Sequence, residues 1–142
     1  MQNTLIADSG YLLALSNPRD RFHQQCLEIS HSLEGDLVTT WPLIPEACYM
    51  LLKRQGTRAQ ANLLDKVARQ LIFIWAVPDN QIKRLTELTI QYADLPMDLA
   101  DGSLVILAEA LGHGRILSTD QRDFQAYRWK NHYPFENLLL PD

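Results

Sequence analysis

Cysteine is almost absent from this chain, with only Cys26 and Cys48 in 142 residues. Neither has a C-x-x-C or Cys/His partner, which argues against a disulfide scaffold and a thiolate zinc site and leaves buried thiols within helical patterns. Long apolar runs are missing too. No stretch approaches the roughly 18 residues of a membrane span, and Met1-Gln2-Asn3-Thr4 lacks the basic flank and apolar core of a secretory leader. A soluble, cytoplasmic protein is expected. Nor is there an excess of positive charge, since 13 Lys and Arg face 17 Asp and Glu for a net of −4. Bulk electrostatics therefore do not advertise a nucleic-acid binder. If four carboxylates gather around one cation, however, the remaining charges balance, and phosphate chemistry stays open.

What is present suits an ordinary globular domain: 46% hydrophobic and 21% charged residues, without repeats or low-complexity tracts. The length predicts one domain over 1–142. Leu5-Ile6-Ala7 reads as a buried strand ended by Asp8-Ser9-Gly10, and Tyr11 to Leu15 as a short helix closed before Pro18. A helix over 21–33 follows, then a strand over 37–40 that Trp41-Pro42 breaks. Pro45 suits a first helical position, with Glu46 in the first turn of a helix running to Gly56. Further helices are predicted over 58–70, from Pro78-Asp79 through Tyr92, and over 98–111, with strands over 72–77 and 116–118. The tail from Tyr133 to Leu140 reads as a weak edge strand, because Pro134 and Pro141 remove ladder donors. Strands alternating with helices predict a three-layer α/β/α sandwich around a parallel sheet of four to five strands. Ligands of such sheets bind beyond the carboxyl ends of the strands.

Two aspartates, Asp8 and Asp120, each end a strand and open a helix. Taken alone, each is explained as an N-cap; it is their shared placement on one sheet edge that points to a pair of acids. Glu46 gains from the helix dipole whether or not it also faces that edge. Asp101 is more telling. At about 100° per residue it falls on the apolar face of its helix beside Leu104, Val105 and Ala108, where an unpaired carboxylate is costly. Asp98 lies at the margin of that face, as helix cap or as a further ligand. Convergent carboxylates need a cation, and hard oxygen donors suit Mg²⁺ or Mn²⁺, hence metal-assisted phosphodiester hydrolysis.

These residues resemble a PIN domain, most closely the small VapC-type toxin ribonucleases. The resemblance rests on Leu-Ile-Ala-Asp-Ser near the start, Pro45-Glu46, Asp98-Leu99-Ala100-Asp101, and Leu117-Ser118-Thr119-Asp120 with Asp123-Phe124. It implies that Asp8, Glu46, Asp101 and Asp120 are the metal-binding catalytic acids, with Asp98 an additional acidic position and Ser9 and Thr119 in support. Ser9 stands where the family more often has threonine, and keeps the hydroxyl. The resemblance further implies sheet order 3-2-1-4-5, Mg²⁺- or Mn²⁺-dependent cleavage of RNA, a small antitoxin covering the site, and a homodimer.

Of the basic residues, Arg122, Arg128 and Lys130, interleaved with Tyr127 and Trp129, form the cluster favoured for RNA contact. The four histidines have no ligand spacing and read as surface or loop residues. Trp41 and Trp75 read as packing at the core edge, with base stacking as the alternative. Phe22, Leu51, Leu52 and Leu64 read as core, or else as an apolar surface for a partner. A catalytically silent binding module is the competing functional class. A phosphoacceptor receiver domain fits poorly, since Asp8 is a single acid and Val77-Pro78 follows the third strand.

Overall fold

The computed structural model describes residues 3–141. In chain order its elements are β1 (Thr4–Ala7), α1 (Ser9–Ser16), α2 (His23–Ser32), β2 (Asp36–Thr40), α3 (Leu43–Gln55), α4 (Thr57–Ala68) and β3 (Ile72–Trp75). A 3-10 turn at Asp79–Gln81 leads into α5 (Ile82–Gln91). Then come α6 (Leu99–Leu111), β4 (Arg115–Leu117), α7 (Gln121–Ala126), β5 (Arg128–Trp129), β6 (Tyr133–Pro134) and β7 (Glu136–Asn137).

Five strands pair in parallel in the order β3-β2-β1-β4-β7, and β5 and β6 form a separate antiparallel pair. This is the expected order, with the tail supplying the fifth strand of the sheet. Side chains of a strand alternate between faces, and this divides the core in two. Ile6, Val38 and Ile116 face α5 and α6 through Leu88, Leu104, Val105 and Ala108. Leu5, Ala7, Ile72 and Leu117 face α1, α3 and α4 through Tyr11, Leu12, Ala47, Leu51 and Leu63. Both faces are covered, which is why Leu5-Ile6-Ala7 in β1 and Ile116-Leu117 in β4 are apolar without alternation.

Local chemistry fixes the ends of the elements that matter here. Helix α6 begins where the Asp98 side chain accepts the Asp101 N–H, and stops at Gly112, whose φ of 77° is left-handed. The Arg84 guanidinium donates to both oxygens of Glu109, at 2.8 and 3.2 Å, and the Lys130 N–H adds a 2.6 Å bond to the same carboxylate. This joins α5 and α6 to the turn between β5 and β6.

Several expectations are corrected. Helix α3 starts at Leu43, so Pro45 is its third residue; a proline is tolerated there because first-turn N–H groups lack intrahelical partners anyway. Strand β3 ends at Trp75, two residues early. Leu52 and Leu64 are exposed, whereas Leu51 is buried, because α3 and α4 each bury only one stripe. Trp75 does pack against the core, but Trp41 is 56% exposed. Of the histidines read as surface or loop residues, His113 lies in the loop before β4, its Nε2 bonding Thr4 Oγ1 at 2.8 Å, whereas His23 opens α2 and its Nδ1 bonds the Ala14 carbonyl at 2.7 Å. Burial and Arg115 lower the His113 pKa. Both cysteines are buried free thiols. Among the described residues no helix is long and apolar enough to cross a membrane.

Candidate metal and catalytic site

Because β1, β2 and β4 run parallel, the residues that follow them share one edge of the sheet. Asp8 follows β1, Glu46 lies in the first turn of the helix after β2, and Asp120 follows β4. Asp101, in the first turn of α6, reaches the same region, since its carboxylate feels the charges of Asp8 and Asp120.

Hydroxyl groups hold these acids in place. Asp8 is only 5% exposed, and its Oδ1 accepts the Ser9 N–H at 2.7 Å while its Oδ2 accepts Ser118 Oγ–H at 2.7 Å. Ser118 Oγ in turn accepts the Asp120 N–H at 2.9 Å. Ser9 Oγ donates to Glu46 Oε1 at 2.9 Å. Strand β2 and helix α6 are locked together nearby by a short hydrogen bond between Thr40 and Ser103. Gly10 is needed for the same assembly, because a Cβ there would fall on Thr119 Oγ1.

The carboxylates destabilise one another's charge. Burial pushes the Asp8 pKa up to about 6 against its two hydrogen bonds, and the charges of Asp120 and Glu46 add to the rise. Asp101 is pushed up to about 8, first by burial and then by the charges of Asp98 and Asp8; the Tyr127 hydroxyl, donating to Oδ2 at 3.0 Å, acts against this. Burial also raises Asp120, and the neighbouring Asp123 carboxyl adds to it. Asp123 itself has a buried Oδ1 that accepts no hydrogen bond.

Asp98 acts as the helix cap, its Oδ1 accepting the Asp101 N–H at 2.8 Å. The reciprocal half of a capping box is missing, since the Asp101 carboxylate bonds Tyr127 instead. The basic cluster is partly committed elsewhere. Arg128 donates from one nitrogen to the carbonyls of Gln125, Ala126 and Tyr127, and Tyr127 is buried under Asp101. Arg122 is 82% exposed, 3.5 Å from Asp123 Oδ1, and the Lys130 ammonium lies 5.9 Å from the centre of the Trp129 ring. Ser118, Tyr127 and Asp123 had not been singled out for the site. Ser118 is fully buried after an apolar strand, which only the fold reveals, and nothing local points to Tyr127.

Among the described residues, no three acidic, imidazole or thiol groups are close enough to form a ready metal cage. The donor chemistry nevertheless suits a hard divalent ion. The acids are oxygen donors, Asp8, Asp101 and Asp120 all have pKa values raised by burial and by neighbouring carboxylates, and a cation relieves that repulsion. Asp8, Asp101 and Asp120 are the residues that would hold it, with Glu46 linked through Ser9.

No family model matches the chain. One curated relative is Ribonuclease VapC26 of Mycobacterium tuberculosis, 26% identical over 124 residues that cover 87% of this chain and 92% of the relative. Among solved structures, VapC20 of Mycobacterium tuberculosis, described as a sarcin-ricin loop cleaving toxin, has a similar fold. Its TM-score is 0.77 at 15% identity, covering 83% of this chain and 91% of that one. With its sheet order and the acids at one edge, the chain is thus similar in sequence to one VapC ribonuclease and in fold to one VapC toxin.

Proposed function

We propose that this protein is an endoribonuclease that hydrolyses RNA phosphodiester bonds with Mg²⁺ or Mn²⁺, and that it is the toxin of a toxin–antitoxin pair. The observation that carries the reading is the convergence of Asp8, Asp101 and Asp120, from three separate stretches of chain, into mutually destabilising charges. A binding module gains nothing from such repulsion. A bound divalent ion supplies a water of lowered pKa and a Lewis acid for the phosphate. The chain's own part is to hold the acids oriented. Ser118 and the Ser9 N–H fix both oxygens of Asp8, Ser9 orients Glu46, and Tyr127 steadies Asp101.

Asp98 serves this site as the cap that sets the start of α6, and Thr119 by packing against Gly10. Exposed Arg122 and Lys130 are the cations available to RNA phosphates. On the toxin reading, a small antitoxin covers the acidic edge and the protein acts in the cytoplasm. Exposed Leu52 and Leu64 offer apolar surface to that partner or to a second copy in a homodimer. Purified protein should cleave single-stranded RNA in Mn²⁺ or Mg²⁺, stop in EDTA and recover on readdition of metal. Cleavage that persists in EDTA, or in Asp8→Asn, contradicts the proposal.

A further inference from the structure

Trp41 presents an indole to solvent at 56% exposure. Exposure alone carries no meaning, since apolar side chains are common on protein surfaces. Its position does. Strand β2 ends at buried Thr40, and the Trp41 carbonyl accepts the Ile44 N–H at 2.9 Å, which fixes the backbone at the entrance to α3. The ring lines an open cleft of about 430 Å³, together with Pro42, Pro45, Glu46, Asp98 and Leu99. That volume lies within the roughly 300 to 1,000 Å³ of ligand clefts. Glu46 belongs both to this cleft and, through Ser9, to the acidic site.

The lining decides what fits. Two prolines give rigid walls, and Leu99, at 59% exposure, joins the indole in lining the cleft from the start of α6. No lysine or arginine lines the cleft, and its two charged groups are carboxylates. A phosphate is therefore repelled. A neutral nucleobase is not: it has a π-face for the indole and N–H donors on its edge for acceptor-only carboxylates.

We propose that Trp41 and Leu99 bound a subsite for one unstacked nucleobase next to the bond being cut, and that Glu46 and Asp98 favour a base with an exocyclic amino group over uracil. This rests on the ribonuclease reading and adds a specificity residue to it. Trp41 is a binding residue here and takes no part in bond cleavage.

The test uses the full chain and a short single-stranded RNA that the wild type cuts in Mn²⁺. Stacking on one aromatic ring is worth roughly a 5- to 100-fold change in binding. Trp41→Ala should raise KM by that order, Trp41→Phe should retain most of the affinity, and Mn²⁺ affinity should be equal in all three proteins. Stepping one abasic residue through the RNA should reveal one position that costs the wild type about the same factor and costs Trp41→Ala nothing more. Replacing the base at that position by uracil should cost more than replacing it by another amino-bearing base.

Unchanged KM in Trp41→Ala, or abasic losses that multiply with the substitution at every position, would overturn the subsite while leaving the ribonuclease reading intact. A dimer-to-monomer shift on sedimentation of Trp41→Ala, with activity recovered at high protein concentration, would assign the ring to contact between copies and also overturn the subsite. A wild type that cuts no RNA would overturn the ribonuclease reading and this proposal with it.

Discussion

Ser118 Oγ donates to Asp8 Oδ2 across 2.7 Å, joining the ends of β4 and β1, which are 110 residues apart in sequence. The same oxygen accepts the Asp120 N–H, so one hydroxyl sets the position of two acids. Ser118→Ala leaves a buried carboxylate short of a donor. Losing a ligand-orienting partner typically costs about 10- to 100-fold in metal affinity or activity. We expect a drop of that order in RNA cleavage and weaker Mn²⁺ binding, with the acidic limb of the pH–rate profile moved to higher pH. An unchanged profile would show that the bond is incidental.

Asp101 should be a stability defect in the metal-free protein. Its pKa of about 8, and that of Asp8 at about 6, lie above the ordinary 3.8, so the folded state takes up protons that the unfolded chain releases. The resulting penalty is absent below about pH 4, grows as pH rises and is complete above pH 8. Asp101→Asn should therefore melt higher than wild type without metal, by a margin that widens from pH 5 to pH 8. It should also lose cleavage. Thermal melts in EDTA across that range check this, and a margin independent of pH would contradict the electrostatic account.

Gly10 and Thr119 make a second testable contact. A methyl group at position 10 meets Thr119 Oγ1, beside Asp120, and the hydroxyl must move away. Gly10→Ala should leave the circular dichroism spectrum native and reduce cleavage by about tenfold or more, in line with the sensitivity of catalysis to small displacements. Thr119→Ala in the same background removes the clashing hydroxyl and should restore part of the activity. No loss in Gly10→Ala would remove Thr119 packing from the account.

Much of the fold was legible because it rests on local chemistry. Apolar strands alternating with capped helices predicted the covered parallel sheet, and the Asp98 cap together with the inward face of Asp101 was visible in a single helix turn. Elements governed by distant contacts were less legible. The tail joins the sheet as β7 because β4 offers a free edge, which no period-2 pattern at Glu136–Asn137 announces. Pro45 misplaced the start of α3 by two residues, since a proline is allowed throughout the first turn. Of the site, the acids could be found from their positions after strands. Ser118 and Tyr127 could not, because their roles exist only once β4 and α7 are folded against β1 and α6. Arg128 read in sequence as a candidate for RNA contact, and its guanidinium is turned back onto the carbonyls at the end of α7.

The most direct test of the central claim is a Mn²⁺ titration, followed by electron paramagnetic resonance, of the purified wild type and of Asp8→Asn and Asp101→Asn. Saturable binding to the wild type, lost or greatly weakened in both variants while they stay folded, is the predicted result. A wild type that leaves all the Mn²⁺ free, or variants that bind as it does, would mean that these carboxylates do not form a cation site.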